Sequence, residues 1–329
     1  MKVKVGVIGL GFMGSAHARV YNKLKDCELV GICDSNSEKK HLAKAYNCKF
    51  FEDSEDFLGE NLDAVSVCTP TSMHRDVVMY ALEKGKHILV EKPFADTLKN
   101  GEEMAKKAAR MDRLLAVGYI ERFNSAVRKL REVVDCSQIY STVSMRFGPF
   151  PPRTKYSGVF LDLASHEIDI LNYLTKVQPE VLYAHFSSKS DNSFEDYAYI
   201  SLKYGHIHSH IEASWLPNYK LRLIHLYGNE RFYALNYAQQ KLKTYRAPPK
   251  AKIEHGSWND ILWLSRHVEE DIPVSANEPL AMELQGFVDS VKEHDVIEPL
   301  CTPQEALQVL KVTDCAFSKL GMQKKCDTD

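Results

Sequence analysis

No two of the chain's eight cysteines, Cys27, Cys33, Cys48, Cys68, Cys136, Cys301, Cys315 and Cys326, are spaced as CxxC. That absence leaves a zinc ribbon or a redox pair without support, and no metal is expected. Several of these residues sit inside apolar stretches such as "LVGICD" and "AVSVCTP", where reduced structural thiols of a reducing compartment belong. Charge of one sign is also missing. A formal net charge of -2 gives no reason to expect nucleic acid or a polyanionic partner. No apolar run is long enough to span a bilayer, so no membrane is expected. The opening "MKVKVGVIGLGFMG" lacks the apolar core and small-residue cleavage site of a signal peptide, and a cytoplasmic location is the default expectation. There is no internal repeat.

What remains is 329 residues, 44% hydrophobic and 26% charged, enough for two globular domains. The first 120 or so residues alternate short apolar runs with helical patterns. "KVKVGVIG", "CELVGICD", "DAVSVCTP", "KHILVEKP" and "RLLAVGYI" read as strands, and the segments between them read as helices. This is the pattern of an α/β domain with a doubly wound parallel sheet. After Arg122 the period changes. One helix, "NSAVRKLREVVD", precedes alternating stretches from "YSTVSMRF" to "RFYALNY", which argue an open antiparallel sheet with one face covered by helices. The stretches 281–294 and 302–321 read as late helices. "RAPPKAKIEHGSWND" reads as a loop or lid, and the last eight residues as a frayed tail. We expect a Rossmann domain over 1–122 and an α+β domain for substrate and oligomer contacts over 123–329.

"GVIGLGFMG" supplies Gly9, Gly11 and Gly14 between the first strand and the first helix, and Asp34 ends the second strand 20 residues after Gly14. The first glycine permits the tight turn, the second lets the backbone approach a pyrophosphate, and the third allows close helix–strand packing. Asp34 is placed for the ribose hydroxyls and against a 2′-phosphate, so NAD is favoured over NADP. The alternative is a Gly-rich turn followed by a capping Asp. Phe12 and Met13 inside the loop join the expected cofactor contacts.

A second cluster lies in "GVFLDLASHEIDILNYL", residues 158–174. It reads as one amphipathic helix, and spacings of four and three put Asp162, His166 and Asp169 on one face. Each has a plain alternative: His166 as a hydrogen-bonded core histidine, Asp169 as a helix-face charge, and Lys92 of "VEKP" as a solvated strand end.

With "VEKPFA", "TPTSMH" and "DLASHEID" in this order, the chain resembles the glucose–fructose oxidoreductase, inositol dehydrogenase and MocA family along essentially its whole length. The resemblance implies cofactor contacts from Thr69, Pro70, His74, Glu91, Lys92 and Pro93. It also implies a catalytic centre of Lys92, His166 and Asp162. An imidazole is suited to taking the hydroxyl proton as hydride leaves for nicotinamide C4. An ammonium stabilises the developing alkoxide, and a carboxylate orients the His or binds a neighbouring hydroxyl. "VGYIERFNSAV" and "GPFPPR" look like the UDP-N-acetylglucosamine 3-dehydrogenases of that family. The departures are Tyr119 where that group typically has His and Ser125 where it has Pro. The expected substrate is therefore a nucleotide sugar, whose keto product would feed a transaminase. Arg122, Asn124, Arg153, Asp162, His166 and Asp169 are the expected substrate contacts. A free sugar or polyol such as inositol is the alternative substrate, and a non-catalytic cofactor-binding regulator is the alternative function. "HIHSH" places His206, His208 and His210 on one strand face, read as a solvated or subunit-contacting surface. The open sheet face suggests a homo-oligomer.

Overall fold

Five largely buried apolar runs and one three-residue edge run form the first sheet. They are β1 (Val3–Ile8), β2 (Cys27–Cys33), β3 (Lys49–Phe51), β4 (Ala64–Val67), β5 (His87–Glu91) and β6 (Leu115–Gly118). All pairs are parallel, in the order β3-β2-β1-β4-β5-β6. The chain doubles back between β1 and β4, which opens a crevice at their carboxyl ends. The computed structural model describes residues 2–150, 157–189, 194–246 and 267–321. Arg153, most of the Pro- and Lys-rich segment and the tail lie outside the described residues.

Helices α1 (Phe12–Tyr21), α2 (Lys40–Tyr46), α3 (Ser54–Leu58), α4 (Thr71–Glu83) and α5 (Leu98–Arg110) connect these strands, and α6 (Ser125–Val133) follows the last. β3 and α3 were not anticipated. Their signals are short, and "KFF" shows too few residues for a period.

The second sheet has eight strands: β7 (Ile139–Phe147), β8 (Glu180–Ser187), β9 (Tyr197–Tyr204), β10 (Ile207–Ser214), β11 (Leu221–Gly228), β12 (Arg231–Asn236), β13 (Lys241–Arg246) and β14 (Val268–Ile272). Their order is β14-β13-β12-β11-β7-β10-β9-β8. The sheet is antiparallel except at β7–β10, which is parallel. The expected antiparallel sheet is thus present, with one parallel pair inside it. Between β7 and β10 the chain makes a long crossover through α7 (Ser165–Thr175), and a crossover returns a strand parallel.

Helix α7 lies across the inner face of this sheet. Ile168, Ile170, Leu171 and Leu174 share a core with Ile200, Ile211, Ile224 and Leu226. The last two helices return to the first layer. α8 (Pro279–Glu293) buries Leu280, Leu284, Phe287 and Val288 with Val5, Leu10 and Ala18. Each such large apolar side chain contributes roughly 1.5–3 kcal/mol. α9 (Pro303–Lys319) starts at a reciprocal capping box, Thr302 with Glu305, and packs on α5, α7 and β8. No helix among the described residues is long and apolar enough to cross a membrane.

Candidate active site

The glycine loop takes the shape its spacing predicts. Gly9 has φ +85°, and a Cβ there would lie 2.7 Å from the Cys68 carbonyl oxygen. A Cβ on Gly14 would lie 1.7 Å from the Gly9 oxygen, so helix and turn touch only because it is absent. At Gly11 the same position meets nothing within 4 Å. Open space thus adjoins the amino end of α1, where unpaired N–H groups favour a pyrophosphate. Phe12 beside it is exposed and Met13 half-buried. Asp34 Oδ2 accepts from Leu10 N at 2.5 Å, and Oδ1 accepts from Asn36 N at 2.8 Å. The carboxylate therefore ties the glycine loop to the end of β2. These features fit a dinucleotide. Asp34→Ala should weaken NAD binding and narrow the preference over NADP, both read by titration calorimetry. Unchanged affinities would remove Asp34 from the site.

Glu91 ends β5. Its Oε1 is 3.0 Å from His17 Nε2 of α1, and its Oε2 accepts from Lys92 N at 3.2 Å. The His17, Cys68 and Glu91 ligand-type atoms lie within 4.8 Å of one another. His17 and Glu91 already bond each other there, and they act as a brace between α1 and β5. Thr69 is half-buried and Pro70 exposed at the start of α4. His74 is buried, with Nε2 3.0 Å from the Thr69 oxygen and Nδ1 3.0 Å from the Pro93 oxygen. It ties the ends of β4 and β5 together through backbone carbonyls. Burial pushes its pKa down, only partly offset by those carbonyls and Glu91.

Lys92, joined to Pro93 by a cis peptide, reaches across to the second domain. Its Nζ donates to Asp162 Oδ1 at 2.7 Å and to the Asp162 carbonyl at 2.9 Å. Asp162 does not begin the α-helix. It lies in a π-helical turn, Phe160–Ala164, closed by Ser165 N on the Phe160 oxygen. The wider turn splits the face that regular spacing predicts: Asp162 goes to Lys92, whereas Asp169 goes elsewhere. π-turns of this kind recur at functional sites.

His166 follows in the first turn of α7 and is buried, its Nδ1 without a partner among the described residues. The Tyr119 ring stands edge-on at 6.2 Å. Burial, and then the charges of Lys92, Arg146 and Arg222, hold its pKa well below the usual 6.5. The imidazole is therefore neutral at neutral pH. Burial raises the Asp162 pKa, but Lys92 above all, with Arg146 and Arg222, brings it below the ordinary 3.8. Asp162 bonds Lys92 rather than His166.

Three expected substrate contacts have other partners. The Arg122 Nε and Nη2 grip Asp169 at 2.7–3.1 Å, and Nη1 donates to Glu305 at 2.8 Å. Both members of the Arg122–Asp169 pair are 1% exposed, which leaves neither open to a diphosphate. Asn124 caps α6 through Ala126 N and donates to the Tyr237 carbonyl. His210 stacks on Tyr199 and bonds its hydroxyl. His206 lies in the turn before β10, so the three histidines do not share the strand.

Residues the motifs did not flag complete the wall: Arg146 on β7, Glu167 on α7, Glu121, Arg222 on β11 and Tyr237. Arg146 Nε bonds Glu167 Oε1 at 2.6 Å and Nη1 bonds Glu121 Oε1 at 3.0 Å, while the Tyr237 hydroxyl donates to Glu167 Oε2 at 2.9 Å. Period-two alternation put Arg146 on the covered face, a position where an ionic side chain needs partners.

Comparison with known proteins agrees with this architecture. The oxidoreductase family model with an NAD-binding Rossmann fold, Gfo/Idh/MocA, matches residues 3–119. The Gfo/Idh/MocA C-terminal domain matches 130–233. A UDP-N-acetylglucosamine 3-dehydrogenase of Acidithiobacillus ferrooxidans is 26% identical over 294 residues, 89% of this chain and 90% of that protein. A myo-inositol 2-dehydrogenase of Thermotoga maritima is 30% identical over 55% of this chain and 58% of its own length. The solved structure of the Acidithiobacillus enzyme superposes with a TM-score of 0.84 at 24% identity, covering 98% of this chain and 96% of that one. With both of its domains matched and its cofactor loop formed, the chain belongs to the Gfo/Idh/MocA family of NAD-binding sugar and polyol oxidoreductases.

Proposed function

We propose that this protein oxidises the 3-hydroxyl of UDP-N-acetylglucosamine to the 3-keto sugar, with NAD as the hydride acceptor. The observation that carries the reading is the Lys92–Asp162 pair, set beside a neutral His166 at the carboxyl end of the parallel sheet. Gly9, Gly11, Phe12, Met13 and Gly14 would hold the pyrophosphate end of NAD and Asp34 its ribose. Thr69, Pro70 and the Glu91–Pro93 turn would border the rest. NAD bound there supplies the acceptor for the electron pair of the broken C–H bond.

The protein's own groups handle the proton. Neutral His166 takes it from the hydroxyl, since a base must be unprotonated to act. The Lys92 ammonium orients the same oxygen and stabilises the charge it gains. Asp162 holds Lys92 in place. The 26% identity across nearly the whole length of a UDP-N-acetylglucosamine 3-dehydrogenase supports this substrate over inositol, whose relative matches little more than half the chain. Retention of all three groups argues against a regulator that performs no chemistry. The outward faces of β11, β12 and β13 carry Tyr227, Phe232 and Tyr245 in ring contact, an aromatic strip suited to a second copy of the chain.

The test is a panel of nucleotide sugars, free sugars and inositols offered with NAD, with reduced nicotinamide followed by absorbance. UDP-N-acetylglucosamine should give the highest kcat/KM. Preferential oxidation of inositol would overturn the substrate.

A further inference from the structure

Two arginines border the proposed centre from the second sheet. Arg146 of β7 and Arg222 of β11 are direct partners in the antiparallel register, so they leave the sheet on the same face. Like charges directly opposite each other destabilise a sheet. Here Glu121 Oε1 sits between them, 3.0 Å from Arg146 Nη1 and 3.3 Å from Arg222 Nη1. Arg146 is otherwise engaged by Glu167 and lies 5.1 Å from the Tyr237 ring centroid. Its Nη2, though buried, meets no acceptor among the described residues.

Arg222 differs from its neighbour. Among the described residues its guanidinium donates only through the long contact to Glu121, and the side chain is 36% exposed. Arg146 bonds Glu167, the residue after His166 in the first turn of α7, and Arg222 shares Glu121 with Arg146, so both guanidiniums lie on the sheet face that carries α7 and the proposed centre. Their positive charge accordingly favours the ionised Asp162 and the neutral His166. A guanidinium with spare donors in a fixed fork matches the oxygens of phosphate or carboxylate. A neutral polyol offers no such partner.

We propose that Arg222, backed by the buried Nη2 of Arg146, binds an anionic group of the substrate, phosphate or carboxylate, beside the reacting carbinol. The inference rests on the dehydrogenase reading above. It assigns to Arg222 the anion contact that Arg122, closed by Asp169, does not make.

The experiment compares wild type, Arg222→Gln and Arg222→Lys in the full chain, with UDP-N-acetylglucosamine, N-acetylglucosamine 1-phosphate, glucuronic acid and inositol as substrates. Arg222→Gln should raise KM for the anionic substrate roughly ten- to a hundredfold, the scale of a lost hydrogen bond to a charged group. NAD affinity by calorimetry should not move, and Arg222→Lys, which keeps the charge without the fork, should fall between. A rise confined to the two phosphate-bearing substrates identifies phosphate, and a rise confined to glucuronic acid identifies carboxylate. If none of the three anionic substrates shows a KM that changes among the three proteins, the inference is overturned, while oxidation of UDP-N-acetylglucosamine leaves the substrate reading standing. Should glucuronic acid alone be oxidised, with a KM that depends on Arg222, the inference stands and the nucleotide-sugar reading fails. Oxidation of inositol alone overturns both.

Discussion

His166→Ala and Lys92→Ala should each lower turnover on the order of a hundredfold or more, the usual scale for a positioned proton-transfer group. His166→Ala should keep NAD affinity, because the glycine loop and Asp34 lie in the other domain, and Lys92→Ala should change it far less than it changes turnover, because the backbone of the Glu91–Pro93 turn is kept. Asp162→Asn should lose less. Its carboxylate bonds Lys92 Nζ and not His166, and the Asp162 carbonyl would still accept from the ammonium. The pH profile carries the same assignment. The base acts unprotonated, so the rate rises with pH through its pKa and then levels. Burial and three neighbouring cations hold His166 well below 6.5. The acid limb of kcat/KM in the oxidising direction should therefore fall below that value and disappear in His166→Ala. Intact turnover in either variant would leave the π-turn and α7 as a structural face only.

Arg122→Ala should act on stability and not on substrate affinity. Removing one member of a buried, hydrogen-bonded ion pair strands the other, at a cost of about 3–5 kcal/mol. Asp169 would be left at 1% exposure with, among the described residues, only the weak Cys301 thiol donor, 3.8 Å away, to meet it. Burial already pushes the Asp169 carboxyl upward even with Arg122 in place. Chemical denaturation should show the loss. KM for the sugar, measured where the variant stays folded, should move far less. A raised KM with unchanged stability would return Arg122 to the substrate site.

These two residues show where the sequence stops being readable. Gly9, Gly11, Gly14 and Asp34 lie in one strand-turn-helix unit, so local spacing carries their geometry. The parallel sheet follows from alternating runs in the same way. Asp169 meets Arg122 across 47 positions and Glu305 meets it across 183. No local period encodes such a pairing. The stretch 158–174 misled for a different reason. Regular helical spacing assumes bonds at four residues, and one bond at five, closed by Ser165, turned Asp162 and Asp169 toward different partners. In the second sheet, alternation gave the faces of β7 and β11 but not their adjacency. The Arg146–Arg222 juxtaposition, which depends on that adjacency, stayed hidden. His74 carried a motif, but its ring ties two backbone carbonyls and does not turn outward.

The most direct test is single-turnover hydride transfer from UDP-N-acetylglucosamine deuterated at the sugar C3, in wild type and in His166→Ala. The account predicts deuterium in the reduced nicotinamide and a primary isotope effect in the wild type, and transfer on the order of a hundredfold slower in the variant. Transfer from another carbon, or an unchanged rate without His166, would contradict it.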